Sequence, residues 1–124
     1  MLNNKLKLVG SFLALAAVTG FVPSVQAANY SGKLGRIIVT GTQYAVIISA
    51  GAVSGSRPSC HPSLGQFSSF AIDISTAKGK AVLSLAQAAL LANKTTYIGG
   101  AGVCTPVGGS YGNIETIGEL NIEP

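Results

Sequence analysis

The chain has no tryptophan, one histidine, two cysteines and four acidic residues among its 124. Each scarcity removes a class of function. Zinc needs three or four protein ligands, and His61 beside Cys60 would need more partners than the sequence supplies, so we expect no metal and no cofactor. Glycoside hydrolysis needs two carboxylates at a set separation. Only Asp73, Glu115, Glu119 and Glu123 are present. Glu115 and Glu119 are four apart on an expected strand, about 13 Å at ~3.3 Å per residue, which is too wide for paired work, so both read as solvated strand residues. No serine sits in a Gly-x-Ser-x-Gly setting, and His61 reads as an exposed loop histidine rather than a general base. A hydrolase built on His61 is the least favoured reading. Gly99–Gly102 and Gly108–Gly112 invite a phosphate-loop reading, but no lysine-serine or lysine-threonine follows and neither run opens a helix. These glycines suit bulges and tight bends at a barrel corner instead.

The amino terminus carries more information. Lys5 and Lys7 precede a mostly apolar run from Leu8 to Val22, followed by Pro23-Ser24-Val25-Gln26-Ala27. A basic start, a short apolar middle and a small-x-Ala end define a secretory signal peptide over residues 1–27. The run is shorter than the roughly 20 residues a bilayer-spanning helix needs, and no cysteine follows the cut to carry a lipid. We therefore expect a periplasmic or secreted protein with no membrane attachment after cleavage. The mature part, residues 28–124, is one small domain. Its net charge falls from the +4 of the full chain to +2, six basic residues against four acidic. That charge is weak and scattered, and it argues against a nucleic-acid partner. In an oxidising compartment Cys60 and Cys104 allow a single internal bridge.

Hydrophobic periodicity orders the domain. Arg36–Thr40 and Tyr44–Ile48 read as a hairpin joined by Gly41-Thr42-Gln43. A Gly/Ser/Pro-rich surface loop follows from Gly51 to Gly65. Phe70–Ile74 alternates strictly and reads as a strand with one buried side. Ser75 or Thr76 can cap a helix over about Ala77–Ala92, whose stripe of Val82, Leu83, Ala86, Ala89 and Leu90 is widened by Leu85 and Leu91. Asn93 ends it. Thr95–Ile98 begins a fourth strand that dissolves into glycines. A second glycine-rich loop over Pro106–Gly112 carries Tyr111. The last strand, Ile114–Ile122, turns Ile114, Thr116, Leu120 and Ile122 inward and Glu115, Glu119 and Asn121 outward, with Ile117 as an exception. The order β-β-β-α-β-β is that of a five-stranded OB-like barrel, mainly β with one helix.

The stretch KAVLSLAQAALLANKTTYIGGAGVC, followed by YGNIETIGELNI, resembles a group of small exported proteobacterial proteins over most of the mature chain. These carry a helix, a tight turn, a strand, a cysteine and a Gly-Asn/Asp-x-Glu segment entering the last strand. The layout is also similar to the receptor-binding B subunits of the subtilase-cytotoxin and pertussis-like AB5 toxins. That likeness implies a disulfide-stapled OB fold, ring assembly and glycan binding, with no glycan-contacting residue carried over. From the residues themselves, Tyr111, Tyr44 and Arg57 are the candidate ligand-binding side chains, because aromatic planes beside polar neighbours grip sugars. The expected function is a non-enzymatic exported binding module for a glycan or protein partner. The alternative is an assembly subunit of a homo-oligomer or toxin-like complex.

Overall fold

A computed structural model describes residues 26–62 and 68–124. The expected signal peptide lies outside the described residues apart from Gln26 and Ala27, as does the end of the Gly51–Gly65 loop. In chain order the elements are β1 (Ala28–Thr40), β2 (Tyr44–Ser49), β3 (Ser54–Gly55), β4 (Ser69–Asp73), α1 (Ala77–Leu91), β5 (Thr95–Gly108) and β6 (Gly112–Ile122).

The five long strands bond in a ring, β1-β2-β4-β6-β5 and back to β1. Every pairing is antiparallel except β4 with β6, which runs parallel at Ala71 and Thr116. The two-residue β3 pairs with the start of β1 and stands outside the ring. One helix sits between the third and fourth long strands, as the sequence order predicts.

β1 closes the ring because it serves two partners. Its first half, Asn29–Lys33, pairs with β5, and its second half, Leu34–Thr40, pairs with β2 across a register shift at Gly35. It begins eight residues before the strand expected from Arg36. The alternation that defines the early half is Ala28, Tyr30 and Leu34 buried against Asn29, Ser31 and Lys33 exposed. The hairpin turn at Gly41-Thr42-Gln43 is as expected.

The main core gathers Tyr30, Leu34, Ala45, Ile47, Phe70, Ile72, Ala86, Ala89, Ile98, Ile117 and Leu120. A second, smaller cluster of Val46, Ala71, Val107 and Ile114 forms on the other face of β2 and β4, with Tyr44, Ile48 and Tyr111 packed around it. β2 is thus covered on both faces, which explains its unbroken apolar run.

Thr76 caps the helix, its hydroxyl accepting from Gly79 N–H at 2.9 Å. Asn93 leaves the helix in the left-handed region at φ 50°. Ala86 and Ala89 are buried, whereas Leu85 and Leu91 face outward. The two leucines expected to widen the stripe thus stay outside, and only the narrower stripe enters the core.

The glycine runs of β5 are strand, not loop. Gly99 pairs with Glu119 and Gly100 with Ile117, so Gly118 bulges from β6. The next pair is Cys104 with Glu115, so Ala101, Gly102 and Val103 stand against Thr116 alone. Two bulges in succession bend the hairpin, and the first reverses the inside-outside phase of β6. Leu120 and Ile117 both point into the core, three residues apart. Upstream of Gly118 the inward residues are Ile117 and Glu115, and Ile114 joins the outer cluster. The expectation that Glu115 faces solvent fails for this reason.

Candidate functional site

The sulfurs of Cys60 and Cys104 are bonded, with the Cα atoms 6.0 Å apart. The bridge pins the segment after β3 onto β5 directly beside Glu115, since Cys104 is the strand partner of Glu115. It closes a span of 44 residues, worth about 4 kcal/mol in the chain-entropy account. That segment also carries Arg57 and His61, and both converge on Glu115.

The Glu115 side chain is completely buried and that of Arg57 is 7% exposed. Arg57 Nη1 donates to Glu115 Oε2 at 3.0 Å. Gly102 N–H donates to Oε1 at 3.2 Å. Ala28 N–H lies 3.1 Å from Oε1 and 3.4 Å from Oε2. The Glu115 backbone N–H donates to His61 Nδ1 at 3.0 Å. The Arg57 guanidinium stacks 4.1 Å above the centre of the Phe70 ring, a cation–π contact. Burial pushes the guanidinium below its ordinary pKa, while the hydrogen bond and charge of Glu115 pull it back up. β4 runs from Phe70 toward the helix and β6 runs parallel to it, so this cluster sits at the end of the ring away from α1.

The second bulge is what admits the carboxylate. A Cβ at Gly100 would lie 2.1 Å from Glu115 Oε1, so only glycine leaves it room. Gly102, at φ +71°, turns its N–H onto the same oxygen.

His61 is 6% exposed, not an exposed loop residue as expected. Its Nδ1 accepts a backbone N–H, so the ring holds a loop in place. Arg57 is likewise drawn away from the surface, whereas Tyr44 and Tyr111 meet at the outer cluster on another part of the ring. The structure therefore brings two of the three candidate ligand residues together and separates the third. Glu119 and Asn121 are exposed as expected.

Two concavities flank the helix. A cleft of about 220 Å³ lies between its first turn and the bulged hairpin, with Asp73, Thr76, Lys78 and Thr116 as its polar lining and Ile72, Val82 and Ile117 beneath. Lys78 Nζ donates to Gly118 O there at 2.9 Å. A shallower apolar groove is lined by Ile37, Val39, Gln87, Leu90 and Leu91. Among the described residues no group of three or more His, Cys, Asp or Glu gathers as a metal site. No described helix is long and apolar enough to cross a membrane.

The molecule thus belongs to the class of small disulfide-stapled β proteins whose strands bond in a ring with one packed helix. No family model, curated protein or solved structure matches the chain.

Proposed function

We propose that this protein is a non-enzymatic binding module, exported to the periplasm or beyond, that recognises a glycan or protein partner. The observation that carries this reading is the engagement of the chain's most reactive groups in holding the fold together. The buried carboxylate of Glu115 is taken up by Arg57, Gly102 and Ala28, and His61 Nδ1 by a backbone N–H. A carboxylate that already accepts from three donors, and an imidazole whose Nδ1 is committed to a backbone N–H, are poorly placed for general acid–base work. The Cys60–Cys104 bridge supports an oxidising destination. Tyr44 and Tyr111, half-buried on one face, are the side chains best placed to meet a ligand. A glycan array and a pull-down from envelope extract, both using the purified processed protein, test the reading. Blank results in both would overturn it.

The second reading, a subunit of a homo-oligomer, is favoured by the apolar groove, where Val39 is 54% and Leu91 87% exposed. Light scattering that returns a monomer at high concentration removes it.

A further inference from the structure

Ala28 opens β1, and under the export reading it is also the first residue left after the signal peptide is removed. It is 1% exposed. Its nitrogen lies between the two oxygens of a fully buried carboxylate, 3.1 Å from one and 3.4 Å from the other. A peptide N–H in this position has one hydrogen to share between two acceptors. A free α-ammonium has three, and carries the charge that a buried carboxylate favours within hydrogen-bond reach.

We propose that the pocket around Glu115 is a receptor for the new amino terminus: the Ala27–Ala28 bond is cleaved on export, and the α-ammonium of Ala28 docks there as a buried ion pair. This rests on the export reading in "Proposed function", not on the binding activity. In the cleavage, water adds across the peptide bond under a leader peptidase. The hydroxyl goes to the carbonyl of Ala27, and the nitrogen of Ala28 leaves with the hydrogens that make it an amine, which takes up a proton to become the ammonium.

The surroundings fit the occupant. Gln26 and Ala27 are exposed, so the chain leaves the pocket at the scissile bond. Ala28 is held by pairing with Gly55, and Asn29 by Ser54 and Gly99, which fixes the nitrogen in place. Gly102 N–H and Arg57 Nη1 take the remaining acceptor capacity of the carboxylate. A longer side chain at position 28 would have no space at this level of burial. The charged and titratable groups facing the ammonium are Glu115, which attracts it, Arg57, which opposes it from across the carboxylate, and His61, which meets Glu115 through the backbone.

Because the nitrogen of the scissile bond is inside the finished structure, cleavage precedes the docking of β1. The leader must therefore come off an unfolded or partly folded chain, and the terminus seats itself as the ring closes.

The test uses the whole precursor, expressed with its own leader and purified after export. Intact mass is expected to match residues 28–124 with one disulfide. An amine-acylating reagent is then applied to the folded protein and to the same protein unfolded in urea, with peptide mapping. The expected result is an α-amine at least ten-fold slower to react when folded, while the exposed Lys80 and Lys94 change little. Glu115→Gln should bring the folded α-amine close to the unfolded rate. If that variant does not accumulate, the wild-type comparison decides alone. A chain that begins at Ala28 but whose folded α-amine reacts at the unfolded rate overturns the pocket and leaves export standing. A chain that keeps its leader, or begins at another residue, overturns both the pocket and the cleavage on which it rests.

Discussion

Glu115 and Arg57 meet at 3.0 Å with 0% and 7% of their side chains exposed, one from a bulged strand and the other from the segment that Cys60 ties down. The pair is a joint between two parts of the chain 58 residues apart. A buried ion pair adds little net stability, since desolvation offsets most of the attraction. Its weight appears when one partner is lost.

Glu115→Gln is therefore expected to destabilise the protein by about 3 kcal/mol, because the Arg57 cation stays inside with no counter-charge. For a domain of this size that lowers Tm by roughly 12 °C or more. Thermal and urea unfolding, followed by circular dichroism, measure it. A change under 1 kcal/mol would mean the cluster relaxes to solvent when its charge is removed.

Gly100→Ala should cost about 2–3 kcal/mol, in the range for overpacking a filled interior. The new methyl group would stand on Glu115 Oε1. Its effect should be strongly non-additive with that of Glu115→Gln, since both act on one carboxylate. A double-mutant cycle in urea reads the coupling. Additive losses would show that Gly100 matters only for its backbone conformation.

Reduction of Cys60–Cys104 should lower stability by about 4 kcal/mol, and it should also free Arg57 and His61 from Glu115. The paired serine variant, Cys60→Ser with Cys104→Ser, ought then to show a smaller loss from Glu115→Gln than the oxidised protein does. An unchanged melting curve under reductant would show that the bridge is not what anchors the segment.

Asp73 titrates below its ordinary value because the hydroxyl and backbone N–H of Ser75 donate to its carboxylate, with a smaller contribution from Gln43. A depressed folded pKa means that this contribution is complete above the unfolded value, near 3.8. It is lost as pH falls through the lower folded value. Asp73→Asn should flatten that acid limb of a Tm-against-pH curve and leave its shape above pH 5 unchanged. A difference in slope near neutrality would point to another group.

These residues were unequally legible in the sequence. The order of elements followed from periodicity, because the helix buries a regular stripe and Phe70 and Ile72 alternate along β4, and the hairpin turn followed from Gly41. The expected open face of β4 is instead covered, with Ala71 in the outer cluster. The early half of β1 was hidden because its inward positions include Ala28 and Gly32, which carry no apolar bulk to set a pattern. Glu115 was assigned to the wrong face because a single bulge at Gly118 inverts the phase of half a strand, and a glycine inside a strand permits a bulge without fixing one there. The signal that could have found it was Ile117, the one residue that broke the outward pattern. Taking Ile117 as inward makes Glu115 inward too. Arg57 and His61 could not be placed from local sequence, since only the disulfide and a contact over more than 50 residues bring them in.

The apolar groove gives the last prediction. Leu91 is 87% exposed and lies beside Val39 on a helix end whose stripe, Ala86 and Ala89, faces the other way. Removing its side chain should cost the fold little, because there is almost no burial to lose. Leu91→Glu is thus expected to change Tm by less than about 2 °C, as for most surface substitutions. If copies of the chain associate through this groove, the same change places a charge in an apolar contact, and the partner's surface must then desolvate it. The expected result is a folded protein whose weight-average mass by light scattering falls to that of the monomer, with Val39→Glu having the same effect. Association that survives both substitutions would place any contact between copies elsewhere on the ring.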